Sequence, residues 1–298
     1  MASADPSIPA RTTGAAAAFA ASHAAEQDLK LYGGWFCPFV QRSWIVLHEK
    51  RIPHQYVEID PYDKSPDFLA LNPRGLVPTL AVPDAAARDE GESKGQGAKV
   101  KPLYESVIIC EYLDEAYSSP AAHGAPLFPR GDSSEEAAYA RARCRLWIDH
   151  IGGKIVPGFY KLLQHTADKS YTIDAARGEL QRHIRTLVQE MDGGGGGGPW
   201  FLGDRFSMVD VMLAPWAKRL FLIDHYKSGG VGIPARGGEG DDEVWERWRV
   251  WFAAITERQS VRDTWSDDEM YVKSYKRYAE DTVMSEVAMA IRKGEKLP

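Results

Sequence analysis

Between Leu29 and Tyr117 the apolar positions alternate between two periods. Leu29 to Tyr32 reads as a short strand. Val40, Trp44 and Leu47 then recur at helical spacing and predict a helix over Pro38 to Glu49. Gln55 to Ile59 reads as a second strand, and Ser65 to Leu71 as a short helix. That helix stops before Asn72-Pro73, because a proline steers the residue ahead of it away from helical backbone. Thr79 to Val82 and Lys101 to Tyr104 form third and fourth strands. Glu105 to Tyr117 is a helix with Val107, Ile108, Ile109, Cys110 and Leu113 available for a core. Strand, helix, strand, helix, two strands and helix make a small α/β layer.

Residues 84–101 carry no apolar period and read as an inserted surface loop. After Pro120 the character changes. Ala125-Pro126-Leu127-Phe128-Pro129 is a linker, and helices are expected over Ser133 to Gln164, Ile173 to Met191, Ser207 to Ile223, Asp242 to Thr256 and Glu269 to Arg292. Ser207-Met208-Val209-Asp210 has the form of a capping box, with Asp where Glu or Gln is commoner. Gly193 to Gly198 satisfies GxGxxG trivially, but it follows a helix rather than a strand and reads as a flexible link. The first 27 residues are small and polar. They lack the basic and strongly apolar regions of a secretory signal and hold only Arg11 against a presequence, so a disordered tail is expected. The expected organisation is a tail over 1–27, an α/β domain over 28–120 and an all-helical domain over 121–298.

Composition narrows the function classes. Of 298 residues, 44% are hydrophobic and 26% charged, with a formal net charge of −6, which argues against a nucleic-acid surface. No apolar run approaches the roughly 18 residues that span a bilayer. Three cysteines are too few for a disulfide framework and fit a reducing, cytoplasmic setting. Neither HExxH nor a Cys/His ligand cluster is present, so no metal is expected.

Cys37, in Gly34-Trp35-Phe36-Cys37-Pro38-Phe39-Val40, carries the chemistry. A cysteine at the first turn of a helix faces unpaired N–H groups and the positive end of the dipole, which favour thiolate. Pro38 suits the first helical position, where no N–H bond is needed. The alternative is a buried structural cysteine. Val40 stands where a dithiol CxxC would place its second cysteine, so any resolving thiol must come from outside the chain.

With these residues placed, the chain resembles a cytosolic glutathione transferase of the omega class. The resemblance rests on Trp35-Phe36-Cys37-Pro38-Phe39, Asn72-Pro73-Arg74-Gly75-Leu76-Val77-Pro78, Tyr104-Glu105-Ser106, Glu111-Tyr112-Leu113-Asp114-Glu115, Ser207-Met208-Val209-Asp210 and Pro215-Trp216-Ala217-Lys218-Arg219-Leu220. It covers roughly residues 28–265. Other classes usually place Tyr or Ser where Cys37 stands. The loop 84–101, the Gly run and the helix past Glu269 depart from the pattern and bear on substrate range.

The resemblance implies a thioredoxin-like N-terminal domain, an all-α C-terminal domain and glutathione as cosubstrate, with no metal. It implies a cis Val77-Pro78 peptide that turns the Val77 N–H and C=O toward glutathione's cysteinyl unit. Ser106 and its N–H would hold the γ-glutamyl carboxylate and Glu105 the ammonium. Phe39 joins these contacts. Lys64 lies where the family uses a lysine near the glycyl carboxylate, with a solvated surface lysine as the alternative. Trp216, Arg219 and Arg143 would shape an acceptor pocket, with a core role as the alternative for Trp216. The partner implied is a small-molecule electrophile or a glutathionylated substrate, and the assembly implied is a homodimer. The implied activity is thiol transfer or reduction through a mixed disulfide at Cys37, including dehydroascorbate and glutathionyl-ketone reduction. The alternatives are a conjugating transferase of detoxification or secondary metabolism, or a non-catalytic glutathione-fold module.

Overall fold

A computed structural model describes residues 11–60, 63–84, 100–130, 134–191 and 197–296. The chain divides into two compact units, one of Met1–Ala125 with Gln259–Met270 and one of Pro126–Arg258 with Tyr271–Pro298.

The first unit is built on a four-stranded sheet. Strands β1 (Lys30–Gly33), β2 (Gln55–Glu58), β3 (Thr79–Pro83) and β4 (Val100–Tyr104) lie in the order β2-β1-β3-β4. β1 and β2 pair in parallel, with Gly33 opposite Glu58, so a crossover must join them. Helix α2 (Pro38–Glu49), which follows α1 (Gly14–Ser22), supplies it. Helix α3 (Pro66–Leu71) starts at Ser65, whose hydroxyl accepts the Phe68 N–H. Helices α4 (Ser106–Ala116) and α5 (Pro120–His123) complete the series. Leu31, Val40, Trp44, Leu47, Leu80, Ile109 and Leu113 are all buried and form the core. Within it, Lys50 pairs with Asp114 at 3.1 Å, both wholly enclosed.

Three expectations change here. The β3–β4 pairing runs out to Pro83 opposite Val100, so Val100 is strand rather than loop, and the strand expected from Lys101 starts one residue earlier. Residues 85–99 of the expected loop lie outside the described residues. The expected tail over 1–27 instead contains α1, while residues 1–10 lie outside the described residues. Alanine has the strongest helix propensity, and the run around Ala15–Ala18 uses it. Ala16 is buried and its N–H donates to the Trp265 carbonyl, while Phe19 packs on Trp44 and His48. Third, Gln259–Met270, assigned from sequence to the helical domain, belongs to the first unit. There Gln41 donates to Thr264 and His48 pairs with Asp263 at 2.9 Å.

The second unit is helical. Helix α6 (Glu135–His150) begins at Ser134 and runs through a π-helical turn, Ile151–Ile155, into α7 (Val156–Leu163). Pro157 has no N–H for the Gly153 carbonyl, and the Val156 N–H reaches back to Ile151 instead. Helix α8 (Ile173–Gln189) is capped by Thr172. Of the Gly run, residues 193–196 lie outside the described residues.

The helix expected from Ser207 is two, α9 (Met208–Lys218) and α10 (Leu220–Tyr226). At the break the Arg219 N–H turns to the Trp216 carbonyl, and the Pro215 carbonyl accepts the Arg219 guanidinium instead. The capping box forms: Asp210 accepts the Ser207 N–H at 2.8 Å, and also binds the Phe201 N–H and Trp251 Nε1. Helix α11 (Glu243–Glu257) follows Asp242, whose carboxylate caps it. In the first unit's returning segment lies α12 (Gln259–Asp263).

The helix expected over Glu269 to Arg292 is also two, α13 (Asp268–Ala279) and α14 (Glu286–Lys293). Asp281 stands between them at φ +54°, and its carboxylate gathers Gln164, Lys169 and Arg292. No helix among the described residues is long and apolar enough to cross a membrane.

Candidate functional site

The site begins with Gly33. A Cβ there would sit 2.5 Å from the Val40 side chain, so glycine is what lets α2 fold back directly after β1. Between them Gly34 to Cys37 form a turn closed by the Cys37 N–H donating to the Gly34 carbonyl at 2.9 Å. Cys37 is extended (φ −77°, ψ 119°) and is the residue from which α2 starts, with Pro38 next. It is half-buried, and its Sγ donates to the Val77 carbonyl at 3.8 Å. The fold thus brings together two residues 40 positions apart, and the Val77-Pro78 peptide is cis.

The segment leading to Val77 is held by Asn72, which sequence reasoning did not single out as a site residue. Its amide donates to the Leu76 carbonyl at 3.1 Å and to Thr79 Oγ1 at 3.0 Å, while its Oδ1 accepts the Arg74 N–H. Lys64 lies over this loop: a Cβ on Gly75, which has φ +62°, would meet Lys64 Nζ at 3.2 Å.

Ser106 opens α4 and is buried; its hydroxyl accepts from Arg42 Nη1 at 3.3 Å. Arg42 is itself buried, and its guanidinium lies 5.5 Å from the centre of the Phe39 ring. Phe39 and Ser106 therefore share one cation that the sequence reading missed. Its signal was an arginine in the first half of the Cys37 helix, five residues after Cys37. Glu105, half-exposed, sits at φ +70° and pairs with Arg74 at 3.2 Å. A left-handed, non-glycine residue of this kind concentrates at functional sites. Glu58 also enters the site: it accepts the Trp35 N–H at 2.8 Å, inside the Cys37 turn.

The three residues expected to shape an acceptor pocket have other partners within the second unit. Trp216 is fully buried, which is the core alternative. Arg219 is fully buried as well, donating to Tyr275 Oη at 3.1 Å and Pro215 O at 2.7 Å and lying over the Tyr271 ring. Arg143 donates to the Glu190 carbonyl beyond α8 and lies 5.0 Å from the Phe201 ring centre. An arginine near a helix C-terminus satisfies carbonyls left without helical partners, so Arg143 has a structural use there. Among the described residues no group of three or more His, Cys, Asp or Glu is arranged to hold a metal.

The chain matches the glutathione S-transferase N-terminal domain over residues 36–116 and the C-terminal domain over 170–254. It is 32% identical to glutathione S-transferase omega-1 of Sus scrofa over 66% of this chain and 68% of that protein. A crystal structure of glutathione transferase Omega 3C from Trametes versicolor is similar at 36% identity and a TM-score of 0.71, covering 92% of this chain and all of that one. Rice GST1 in complex with glutathione is similar at 28% identity and a TM-score of 0.64, over 87% of this chain and 100% of that one. A thioredoxin-like layer led by Cys37, a helical second unit and this set of relatives agree: the chain belongs to the glutathione S-transferase family, as an omega-like member.

Proposed function

We propose that this protein is a glutathione-dependent thiol transferase whose nucleophile is Cys37. The observation that carries the reading is the half-buried Cys37 at the start of α2, with its sulfur against the Val77 carbonyl. The helix start supplies unpaired N–H groups that favour the thiolate. The thiolate attacks the sulfur of a glutathionylated substrate, forming a Cys37–glutathione disulfide and expelling the substrate thiolate. A second glutathione thiolate then attacks that disulfide, restores Cys37 and leaves as glutathione disulfide. No protein thiol stands at Val40 to resolve the intermediate, so glutathione takes that part. Glutathione lies along the Val77 backbone, with its γ-glutamyl end at Glu105 and Ser106 and its glycyl end toward Lys64. Parallel assays with hydroxyethyl disulfide, dehydroascorbate and a chloronitrobenzene acceptor test the reading. Activity confined to the last would favour a conjugating transferase instead.

Two expected results follow from the geometry. Ser106→Ala weakens glutathione binding by roughly 1.5–3 kcal/mol, about ten- to a hundredfold, because it removes the hydroxyl that donates to the γ-glutamyl carboxylate. Glu105→Ala costs less, since Glu105 is half-exposed and a solvent-screened pair with the ammonium contributes about 1 kcal/mol or less. Calorimetry showing equal affinity in Ser106→Ala and the parent would put the γ-glutamyl group elsewhere.

The second concerns assembly. Strand β4 is a sheet edge, and Val100, Tyr104 and Ile108 on it and on α4 are exposed. An exposed edge with apolar side chains invites cover, and a homodimer provides it. Sedimentation velocity at micromolar concentration should give a dimer; a monomer would refute this part.

A further inference from the structure

Glu58 makes contacts that the proposed mechanism does not use. It ends β2, opposite Gly33. Its Oε1 accepts the Trp35 N–H at 2.8 Å and the Tyr56 hydroxyl at 3.2 Å, while its Oε2 accepts the Thr12 N–H at 3.3 Å. Trp35 is the second residue of the Gly34–Cys37 turn, and the bond that closes this turn does not involve its N–H. One side chain thus joins three pieces of chain: the Cys37 turn, β2, and the segment that leads into α1.

We propose that Glu58 is a positioning residue for Cys37, holding the turn that presents the thiol and tying it to the N-terminal segment through Thr12. The claim rests on the reading of Cys37 as the reacting thiol. Both carboxylate oxygens face donors, so the ionised group meets all three contacts as an acceptor. A protonated carboxyl has fewer and weaker acceptor sites, since charge-assisted bonds are about twice as strong as neutral ones, so it holds these donors less firmly. Burial pushes this carboxyl up to about 7, against the opposing pull of the Trp35 and Thr12 amides, the Tyr56 hydroxyl and Arg11. Arg11 from the N-terminal segment and Tyr56 from β2 are the ionisable groups that act on it. The clamp therefore tightens across the neutral range, as the carboxylate forms.

The test is alkylation of Cys37 by iodoacetamide in the full chain without glutathione, followed against pH and located by peptide mapping. The parent profile should carry an inflection at about 7 besides that of the thiol. Glu58→Ala should slow alkylation about tenfold, since a thiol displaced from the helix start loses thiolate, and a pKa higher by about one unit cuts the thiolate fraction about tenfold. Glu58→Gln, equal in shape, keeps one acceptor for Trp35 and should recover part of the rate but show no inflection. Cys110 and Cys144 are buried and stay unlabelled in any folded variant, so their protection separates a moved turn from an unfolded chain. If Glu58→Ala exposes them, the Gln variant carries the test. An inflection retained in Glu58→Gln, or a parental rate in folded Glu58→Ala, would overturn the proposal. A Glu58-dependent profile in a chain lacking thiol transfer would support this inference and refute the functional reading; thiol transfer through a Cys37 indifferent to Glu58 would do the reverse.

Discussion

Cys37→Ser is expected to reduce thiol transfer to the uncatalysed background while leaving glutathione bound. A serine hydroxyl at neutral pH neither ionises nor forms a mixed disulfide, so both halves of the exchange lose their protein partner. The glutathione contacts proposed for Val77, Glu105 and Ser106 do not pass through the sulfur. In the parent, iodoacetamide should react with Cys37 well below about 8.5, where a free cysteine titrates. Glutathione disulfide should leave one glutathionyl group, on this residue. The other cysteines provide the contrast. Cys110 is wholly buried beside Ser43, and burial pushes its thiol up to about 12. Cys144 is wholly buried as well. Full disulfide reductase activity in Cys37→Ser would defeat the mechanism. Gain of conjugation in that variant would agree with it, because the hydroxyl can hydrogen-bond a bound glutathione thiolate.

The parts of this site that were legible in the sequence are those whose signals are local. Pro38 at the first helical position and the Val40, Trp44, Leu47 spacing predict Pro38–Glu49, and the helix has those bounds. Ser106 was legible through the family resemblance, beside a helix start expected at Glu105, and Cys37 because a strand ends just before it and a helix follows. Arg42, Asn72 and Glu58 were not read as site residues, since each acts through partners 64, 7 and 23 positions away. Nothing in the local pattern announces such a partner. The same holds for the break at Asp281, whose carboxylate binds Gln164 and Lys169 more than 100 residues earlier. α1 was missed for a different reason. A run of alanines has no apolar stripe, and it is Ala16 and Phe19, set against Trp265, Trp44 and His48, that show where it docks.

Two groups of the first unit, the buried His54 and the half-buried Glu58, should give the protein's stability opposing pH slopes. His54 stacks on His23 at 4.3 Å and donates from Nδ1 to the Ile52 carbonyl, while its Nε2 is buried without a partner. Burial pushes its pKa from 6.5 down to about 4, helped by the His23 and His48 charges and opposed by the Ile52 bond. The unfolded chain therefore takes up this proton near 6.5, while the folded chain resists until about 4. His54 contributes stability that is present above 6.5 and lost as the pH falls to about 4. Glu58 has the opposite sign. Raised from 4.5 to about 7, it keeps its proton in the folded chain after the unfolded chain has released it. Its contribution is present below 4.5 and lost as the pH rises through about 7. Each displacement is worth roughly 3 kcal/mol, and in the window from 4.5 to 6.5 the two nearly cancel. Removing one should expose the other. Relative to the parent, Glu58→Gln should gain stability steadily with rising pH across that window, and His54→Asn should lose it, each by about 1.4 kcal/mol per pH unit. Urea denaturation of the three chains at stepped pH measures the slopes. Variant curves running parallel to the parent's would show that neither group titrates differently in the folded and unfolded chains.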